Sequence, residues 1–236
     1  MKLCDLHTHV LPGVDDGAPT MEYALQMLEN AVASDVMLLA VTPHYDATCD
    51  IANCLNERFL QLKQAAKDLP VELVLGAEVP VNKHFPDLLE ERKLPTINGS
   101  RYLLTEFPAH TEETVFAETL QSICDCGYVP LVAHPERYAA VGENPQLVTQ
   151  WLDMGCHLQL TGGSVLGEYG KRAQQAASLL LKKDLVACIA SDAHGLHNRS
   201  NYLLDVYDHL TVYYSKQYAR CLMYETPMRI CYNEAL

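Results

Sequence analysis

Residues 3–9 read LCDLHTH, a short apolar strand that runs directly into two histidines. Because side chains alternate between the two faces of a strand, His7 and His9 are expected to project from the same face at its carboxyl end. Nearly every later segment that is typical of a buried strand also ends in a histidine, a glutamate or an aspartate. The distribution of these polar strand ends therefore bears on the choice of fold.

Short apolar runs alternate with longer segments of helical periodicity, a pattern typical of βα units around a parallel sheet. The predicted strands are Lys2–His7, Val36–Thr42, Leu73–Glu78, Tyr102–Glu106, Val129–His134, His157–Thr161 and Val186–Ala190. The predicted helices are Thr20–Ser34, Ile51–Leu69, Glu112–Cys126, Pro145–Met154, Tyr169–Lys183, Ser200–Leu210 and Ser215–Tyr224. The spacing is even and no linker-like tract interrupts it, so a single domain is expected over residues 1–236.

Both an open doubly wound sheet and a closed α/β barrel fit this alternation. An open sheet builds its site from the few strand ends at a switch point, whereas a barrel directs all its strand ends to one mouth. Six of the seven predicted strand ends carry His, Asp or Glu, and only the strand that ends at Thr161 lacks one. This distribution favours the barrel, with a site at the carboxyl ends of its strands.

The residue types at these ends indicate metal binding. The candidate metal ligands are His7, His9, Asp16, His44, Glu78, Glu106, His134, Asp192 and His194. Any one of them alone is compatible with a solvent-facing loop, but a mouth crowded with unpaired carboxylates and imidazoles would be destabilised by repulsion and lost hydration. Imidazole and carboxylate ligands suit Mn, Fe or Zn, and the absence of cysteine ligands argues against a closed structural zinc site. Five histidines and four carboxylates exceed the needs of one ion, so two or three divalent ions are expected.

Composition argues against several classes of protein. The chain has 30 acidic and 17 basic residues and a net charge of −13, which disfavours a nucleic-acid partner because phosphate binding needs cations. No apolar run approaches the ~20 residues of a membrane span, so no membrane insertion is predicted. Met1-Lys2-Leu3 leads directly into a strand, so no signal peptide is expected. Nine scattered cysteines are typical of reduced thiols and predict a cytoplasmic protein.

Five motifs mark the strand ends: His7-x-His9, Thr42-Pro43-His44, the strand ending at Glu78, His134-Pro-Glu-Arg137-Tyr138 and Ser191-Asp192-Ala193-His194. Together they resemble the motifs of the polymerase and histidinol phosphatase (PHP) superfamily. Three features carry a narrower resemblance: Leu11–Gly17 (LPGVDDG), the HPERY run, and the SDAH run followed by Arg199. By these features the chain is similar to the bacterial capsule-type tyrosine phosphatases of the CpsB/YwqE group. The resemblance covers almost the whole chain.

This resemblance implies a distorted (β/α)7 TIM-like barrel, the PHP fold, with three metal ions and usually a dependence on manganese. The implied ligand sets are His7, His9, Glu78 and Asp192 for one ion, Glu78, Glu106 and His134 for a second, and Asp16, His44 and His194 for a third. Many superfamily members have histidine at the positions of Asp16 and Glu106. Carboxylates there match the tyrosine phosphatase branch and weaken a histidinol phosphatase interpretation.

The implied function is hydrolysis of phosphotyrosine in a protein by in-line attack of a metal-bound hydroxide. Its substrate would be a bacterial tyrosine autokinase of exopolysaccharide or capsule synthesis, and oligomerisation is left open. Arg137 and Arg199 are expected to bind the phosphate, because a guanidinium matches phosphate oxygens; ion pairs with Glu136 or Asp205 are the alternative. Two other functions stay open, a phosphatase of a small phosphomonoester such as histidinol phosphate and a non-enzymatic metal-binding scaffold. A nucleic-acid 3′ end is disfavoured as a substrate by the net charge.

Two acidic residues outside the ligand sets also have expected roles. Asp15, next to Asp16, is expected to orient a ligating residue. Asp5 lies within the first predicted strand, where it is either a buried partner of a ligating histidine or simply a charged residue in an otherwise apolar core.

Overall fold

The computed structural model describes residues 2–45, 51–92 and 94–236, with the side chains of residues 51–54 left aside. The strands in this part of the chain are β1 (Leu3–Thr8), β2 (Val36–Val41), β3 (Glu72–Leu75), β4 (Val79–Pro80), β5 (Tyr102–Glu106), β6 (Val129–Ala133), β7 (His157–Thr161) and β8 (Cys188–Ala190). They form two sheets, β1-β2-β3 and β4-β5-β6-β7-β8, and every pairing is parallel. The prediction of an α/β fold with parallel strands is confirmed.

Backbone hydrogen bonds join the two sheets at both edges. Beyond β8, the amide of Asp192 donates to the carbonyl of His7 at 2.8 Å, and the amide of His9 donates to the carbonyl of Ala193 at 2.9 Å. Beyond β2, the amide of Glu78 donates to the carbonyl of Pro43 at 3.0 Å. The strands therefore close into a distorted barrel.

The predicted strand Leu73–Glu78 is wrong as one unit, because β3 ends at Leu75 and β4 begins at Val79. Gly76 lies at this break, where an added Cβ would stand 3.2 Å from Thr42 Cγ2 and 3.3 Å from Ile97 Cα. Only a residue without a side chain fits this close approach comfortably. The break turns the chain so that Glu78 bridges to His44 beside β2.

The helices are α1 (Met21–Ala33), α2 (Ile51–Ala65), α3 (Phe85–Glu90), α4 (Glu113–Asp125), α5 (Ala139–Glu143), α6 (Leu147–Asp153), α7 (Gly162–Leu166), α8 (Lys171–Lys182), α9 (Leu204–Tyr213), α10 (Lys216–Arg220) and α11 (Thr226–Cys231). The short helices α3, α5 and α7 were not predicted. No helix among the residues described combines the length and apolarity that crossing a bilayer requires.

Two helix boundaries differ from the prediction, one through a tertiary contact and one through local helix geometry. The helix predicted to start at Ser200 starts at Leu204, where the Ser34 hydroxyl accepts the amides of Leu203 and Leu204 at 2.5 and 2.9 Å. The last predicted helix does not end at Tyr224. A π-helical turn leads into α11, whose first turn holds Pro227, a position at which proline's missing N–H costs little.

Two hydrophobic clusters separate the inside of the barrel from its outside. The outer cluster joins the helices to the strands. The inner cluster is formed by Cys4, Leu6, Leu38, Ala40, Val74, Ile97, Tyr102, Leu104, Leu131, Ala133, Cys188, Ile230 and Cys231. Ile230 and Cys231 come from α11, and the Tyr102 hydroxyl donates to the carbonyl of Glu234 at 2.6 Å. The C-terminal segment thus covers the amino-terminal end of the barrel and leaves the carboxyl end for the polar residues.

Candidate metal centre

The two histidines at the end of β1 are oriented by hydrogen bonds from behind. His7 Nδ1 lies 2.8 Å from Gln159 Oε1, and the side-chain amide nitrogen of Gln159 donates to the carbonyl of Leu160 at 2.7 Å. His9 Nδ1 lies 2.7 Å from Asp15 Oδ2. Since both partners accept, each neutral ring carries its proton on Nδ1 and a lone pair on Nε2. These two Nε2 atoms are 3.2 Å apart. Asp15, which was expected to orient a ligating residue, thus contacts the ring of the candidate ligand His9.

Two buried carboxylates face the same pair of nitrogens. Glu78 Oε2 lies 3.1 Å from His7 Nε2 and 3.3 Å from His9 Nε2, and Asp192 Oδ1 lies 3.4 and 3.5 Å from them. All four side chains are fully or almost fully buried. Two lone pairs and two carboxylate oxygens crowded without water repel one another unless a cation lies among them. This donor set therefore fits a divalent metal ion.

A second group of donors surrounds the other side of Glu78. His134 Nε2 lies 3.0 Å from Glu78 Oε1 and 3.5 Å from Glu106 Oε1, so the structure brings the second predicted ligand set together. His44 Nδ1 also faces this group, at 3.2 Å from Glu78 Oε2 and 3.8 Å from Glu106 Oε2. Donor atoms of His44, Glu78 and Glu106 lie within 4.8 Å of one another.

The third group lies at the rim of the mouth. Asp16 Oδ1 is 3.3 Å from His194 Nε2 and 3.7 Å from His44 Nε2, and the Asp16 side chain is 65% exposed. The ring of His9 stacks on that of His194 with centroids 3.8 Å apart. His9 therefore belongs to both the first and the third group, which the sequence did not indicate. The three groups are continuous rather than separate.

The surroundings shift the pKa values of two carboxyls in opposite directions. Burial alone would raise the pKa of Asp15, but the hydrogen bond from His9 outweighs it and lowers that pKa to about 2. Burial, aided by the negative charge of Glu78, raises the pKa of Glu106 to about 7. The difference is that Asp15 is hydrogen-bonded to His9, whereas at Glu106 the negative charges of Glu78 and Asp192 add to the effect of burial.

Three of the polar residues at the mouth adopt left-handed backbone conformations. His134, Asp192 and Arg199 have φ values of 36°, 54° and 52°. Such conformations cost about 1–3 kcal/mol each and persist where surrounding contacts enforce them. Here the amide of His134 donates to the carbonyl of Gln159 at 2.8 Å, as that of Asp192 does to His7. The backbone thus directs these side chains into the mouth at a local cost.

Both candidate phosphate-binding arginines converge on Asp192. Arg199 Nη2 donates to both carboxylate oxygens at 2.9 Å, and Arg137 Nη2 donates to Oδ2. Arg137 Nη2 also donates to Thr161 Oγ1 at 2.8 Å. The side chains of Arg137 and Arg199 remain 22% and 34% exposed. Asp192 thus connects the imidazole cluster with the two guanidinium groups.

The alternative ion pairs of these arginines do not form. Neither Glu136 nor Asp205 makes an ion pair with Arg137 or Arg199 in the described part of the chain. Glu136 is buried instead, and its Oε1 accepts the amide of Thr161 at 3.0 Å. The acidic neighbour therefore stabilises the end of β7 by a backbone hydrogen bond.

Sequence reasoning missed the support residues on β7. Gln159 contacts His7, and Thr161 contacts Arg137. No role was predicted for this strand end, because it offers no metal ligand. A polar residue inside an otherwise buried strand was the available signal. Asp5, whose role was left open, accepts the backbone amides of His7 and Ser191 at 3.3 and 2.9 Å rather than contacting a histidine ring.

Comparison with known proteins agrees with this geometry. Residues 3–232 match the family described as capsular polysaccharide synthesis, CpsB/CapC. The chain is 31% identical to tyrosine-protein phosphatase CpsB of Streptococcus pneumoniae, over 99% of this chain and 100% of that protein. It is 30% identical to tyrosine-protein phosphatase YwqE of Bacillus subtilis strain 168, over 84% of this chain and 80% of that protein.

Solved structures give the same result. One from the pair YwqE of Bacillus subtilis and CpsB of Streptococcus pneumoniae, described as unique metal-dependent tyrosine phosphatases, superposes with a TM-score of 0.91. It is 26% identical in sequence, and the match covers 99% of this chain and 96% of that one. The lactonase Lmo2620 of Listeria monocytogenes, at 10% identity and a TM-score of 0.59, shares the fold alone. The resemblance read from the motifs is confirmed, and the chain belongs to the CpsB/CapC family.

Proposed function

We propose that residues 1–236 act as one PHP-type barrel domain, a metal-dependent phosphatase that hydrolyses phosphotyrosine in proteins. The observation that carries this proposal is the Asp192 carboxylate, which contacts the imidazoles of His7 and His9 on one side and the guanidinium groups of Arg137 and Arg199 on the other. A phosphate held by these arginines lies beside the donor cluster.

The proposed ligands are the nine sequence candidates, arranged in the three groups described above. Divalent ions held there would supply Lewis-acid charge and an activated water for hydrolysis. Asp15 and Gln159 hold the His9 and His7 rings so that their Nε2 atoms face the cluster. The partly exposed Arg137 and Arg199 offer N–H groups to the phosphate oxygens, which a guanidinium binds in a fork.

Phosphotyrosine, the substrate that we propose, has a good leaving group. A phenol has a pKa near 10, far below that of an alkyl alcohol, so it departs as phenolate with little protonation. The relatives are named tyrosine-protein phosphatases, and the family description refers to capsular polysaccharide synthesis. We therefore propose that the substrate is a bacterial tyrosine autokinase that controls exopolysaccharide or capsule synthesis.

Three finer points belong to the same proposal. Manganese is the metal we expect, with three ions per site, because the resemblance to the PHP superfamily implies both; iron and zinc also suit imidazole and carboxylate donors. The protein would act in the cytoplasm. The seven cysteines among the described side chains are all free, which is typical of a reducing compartment.

The test is a substrate panel with metal removal and return. Protein treated with a chelator should lose activity and regain it with manganese, with phosphotyrosine peptide preferred over phosphoserine peptide and histidinol phosphate. His134→Ala and Arg137→Ala should both be impaired. The matched controls His209→Ala and Arg172→Ala, which lie outside the site, should keep wild-type rates. Activity that survives complete metal removal would contradict the mechanism, and a preference for histidinol phosphate would contradict the substrate.

A further inference from the structure

Among the seven strand ends predicted from the sequence, the one that β7 forms is without a metal-ligand candidate, and the residues around it contact Arg137 instead. After α7 the chain reaches Tyr169, whose ring lies against Arg137 with the guanidinium carbon 4.5 Å from the ring centroid. A cation over the face of a tyrosine is attracted by the ring's quadrupole. Arg137 is thus held by Thr161 Oγ1, by Asp192 and by an aromatic face.

Gly163 makes room for this ring. A Cβ added at Gly163 would stand 2.7 Å from Cε2 of Tyr169, closer than any ordinary contact. Any side chain at this position would therefore displace the Tyr169 ring. Gly163, in the predicted strand end Thr161-Gly162-Gly163, therefore leaves the space that the ring of Tyr169 occupies beside Arg137.

The hydroxyl of Tyr169 has no acceptor for its proton in the described part of the chain, although its oxygen is buried. The guanidinium of Arg199 can only donate to this oxygen, and it acts on the phenol together with the charges of Arg137 and Asp192. Buried hydroxyls are usually hydrogen-bonded, so a phenol proton without an acceptor at this place indicates that a ligand supplies one.

We propose that Tyr169 is a third phosphate-binding residue of this site. Its ring holds the guanidinium of Arg137 in place, and its hydroxyl donates a hydrogen bond to an oxygen of a phosphate bound between Arg137 and Arg199. This inference rests on the proposed function, because that function places a phosphate beside the arginines.

The experiment measures the affinity of the metal-loaded protein for inorganic phosphate by calorimetry, together with KM and kcat for a phosphotyrosine peptide. Tyr169→Leu removes ring and hydroxyl and should weaken phosphate binding about tenfold. Tyr169→Phe keeps the ring on Gly163 and should weaken it about threefold through the lost hydrogen bond. Metal content should not change, and the exposed Tyr213→Leu is the matched control.

A residue with a merely structural role would act independently of Arg137. In an Arg137→Ala background, Tyr169→Leu should therefore change phosphate affinity much less than it does in the wild type. Wild-type phosphate affinity in both Tyr169 variants would overturn the inference, as would fully additive losses in the double variant. If Tyr169→Leu does not fold, Tyr169→Phe alone decides: a threefold loss supports the hydroxyl's role and an unchanged affinity refutes it.

The two proposals can fail separately. Phosphate binding that depends on Tyr169, in a protein that hydrolyses no phosphotyrosine, would refute the proposed function and keep this inference. Phosphotyrosine hydrolysis with unchanged phosphate affinity in the Tyr169 variants would keep the proposed function and refute this inference.

Discussion

The β1 side and the β7 side of the barrel mouth are built from different chemistry. At the end of β1, His7 and His9 are fully buried and each Nδ1 is hydrogen-bonded to a fixed acceptor. On the β7 side, Arg137 follows β6 and Arg199 follows β8, the two strands that flank β7, and both keep a partly exposed side chain. The first side is rigid and inaccessible, whereas the second is open to a molecule arriving from solvent.

This difference separates two tasks within one mouth. Rigid, desolvated donors suit ions that stay bound, because the geometry must persist through every reaction cycle. Exposed guanidinium groups suit a ligand that binds and leaves. Asp192, which lies between the two sides, contacts both. Substitutions on the two sides should therefore change different measured quantities, and three variants test this separation.

Glu78→Gln should have the largest effect, because Glu78 contacts both the first and the second donor group. The neutral amide removes a charge that buried cations require, so we expect kcat/KM to fall by about 10³-fold or more. Metal analysis should show a loss of bound metal. The exposed Glu29→Gln is the matched control and should behave as wild type. Full metal content and activity in Glu78→Gln would refute the ligand assignment.

Asp15→Asn should have an intermediate effect confined to metal affinity. The amide can present its oxygen to His9 but carries no charge, and losing such support typically costs about 10–100-fold in metal affinity or activity. Manganese titration of activity should give a raised half-saturation concentration, with KM for the peptide nearly unchanged at saturating metal. A changed KM with normal metal affinity would erase the distinction between the two sides.

Arg199→Lys should have the smallest effect and the opposite signature. Lysine keeps the positive charge but loses the fork that binds two oxygens, so KM for the phosphotyrosine peptide should rise about tenfold. Metal content should remain that of the wild type. The matched control is Arg172→Lys on the surface, where KM should not change. If Arg199→Lys lost metal, Arg199 would belong to the donor side.

The predicted site residues illustrate what local sequence can reveal. Histidines and carboxylates that follow apolar strands are visible one strand at a time, because strand periodicity and strand ends are local properties. Parallel strands joined by helices place all those ends at one edge, so convergence follows from the alternation of elements. His134 and Asp192 were found in this way and do lie at the mouth.

Support contacts were not visible, because they join residues distant in sequence. Gln159 reaches His7 across 152 positions, and Ser34 accepts the first amides of α9 across 169. The direction in which the His7 side chain points also depends on contacts between residues that are distant in sequence. Strict alternation from Leu3, which packs in the outer cluster, would direct His7 outward, but the pairing of β1 with β2 shifts register after Asp5.

The sequence by itself determined the parallel α/β architecture and the type of chemistry at the strand ends, including the paired histidines of residues 3–9. These properties depend on which residues follow one another. Only the tertiary structure decided that His9 serves two donor groups, that Gly76 breaks the third predicted strand, and that Asp192 connects the imidazoles with the arginines. The physical reason is barrel closure, which sets distances between side chains that sequence order leaves independent.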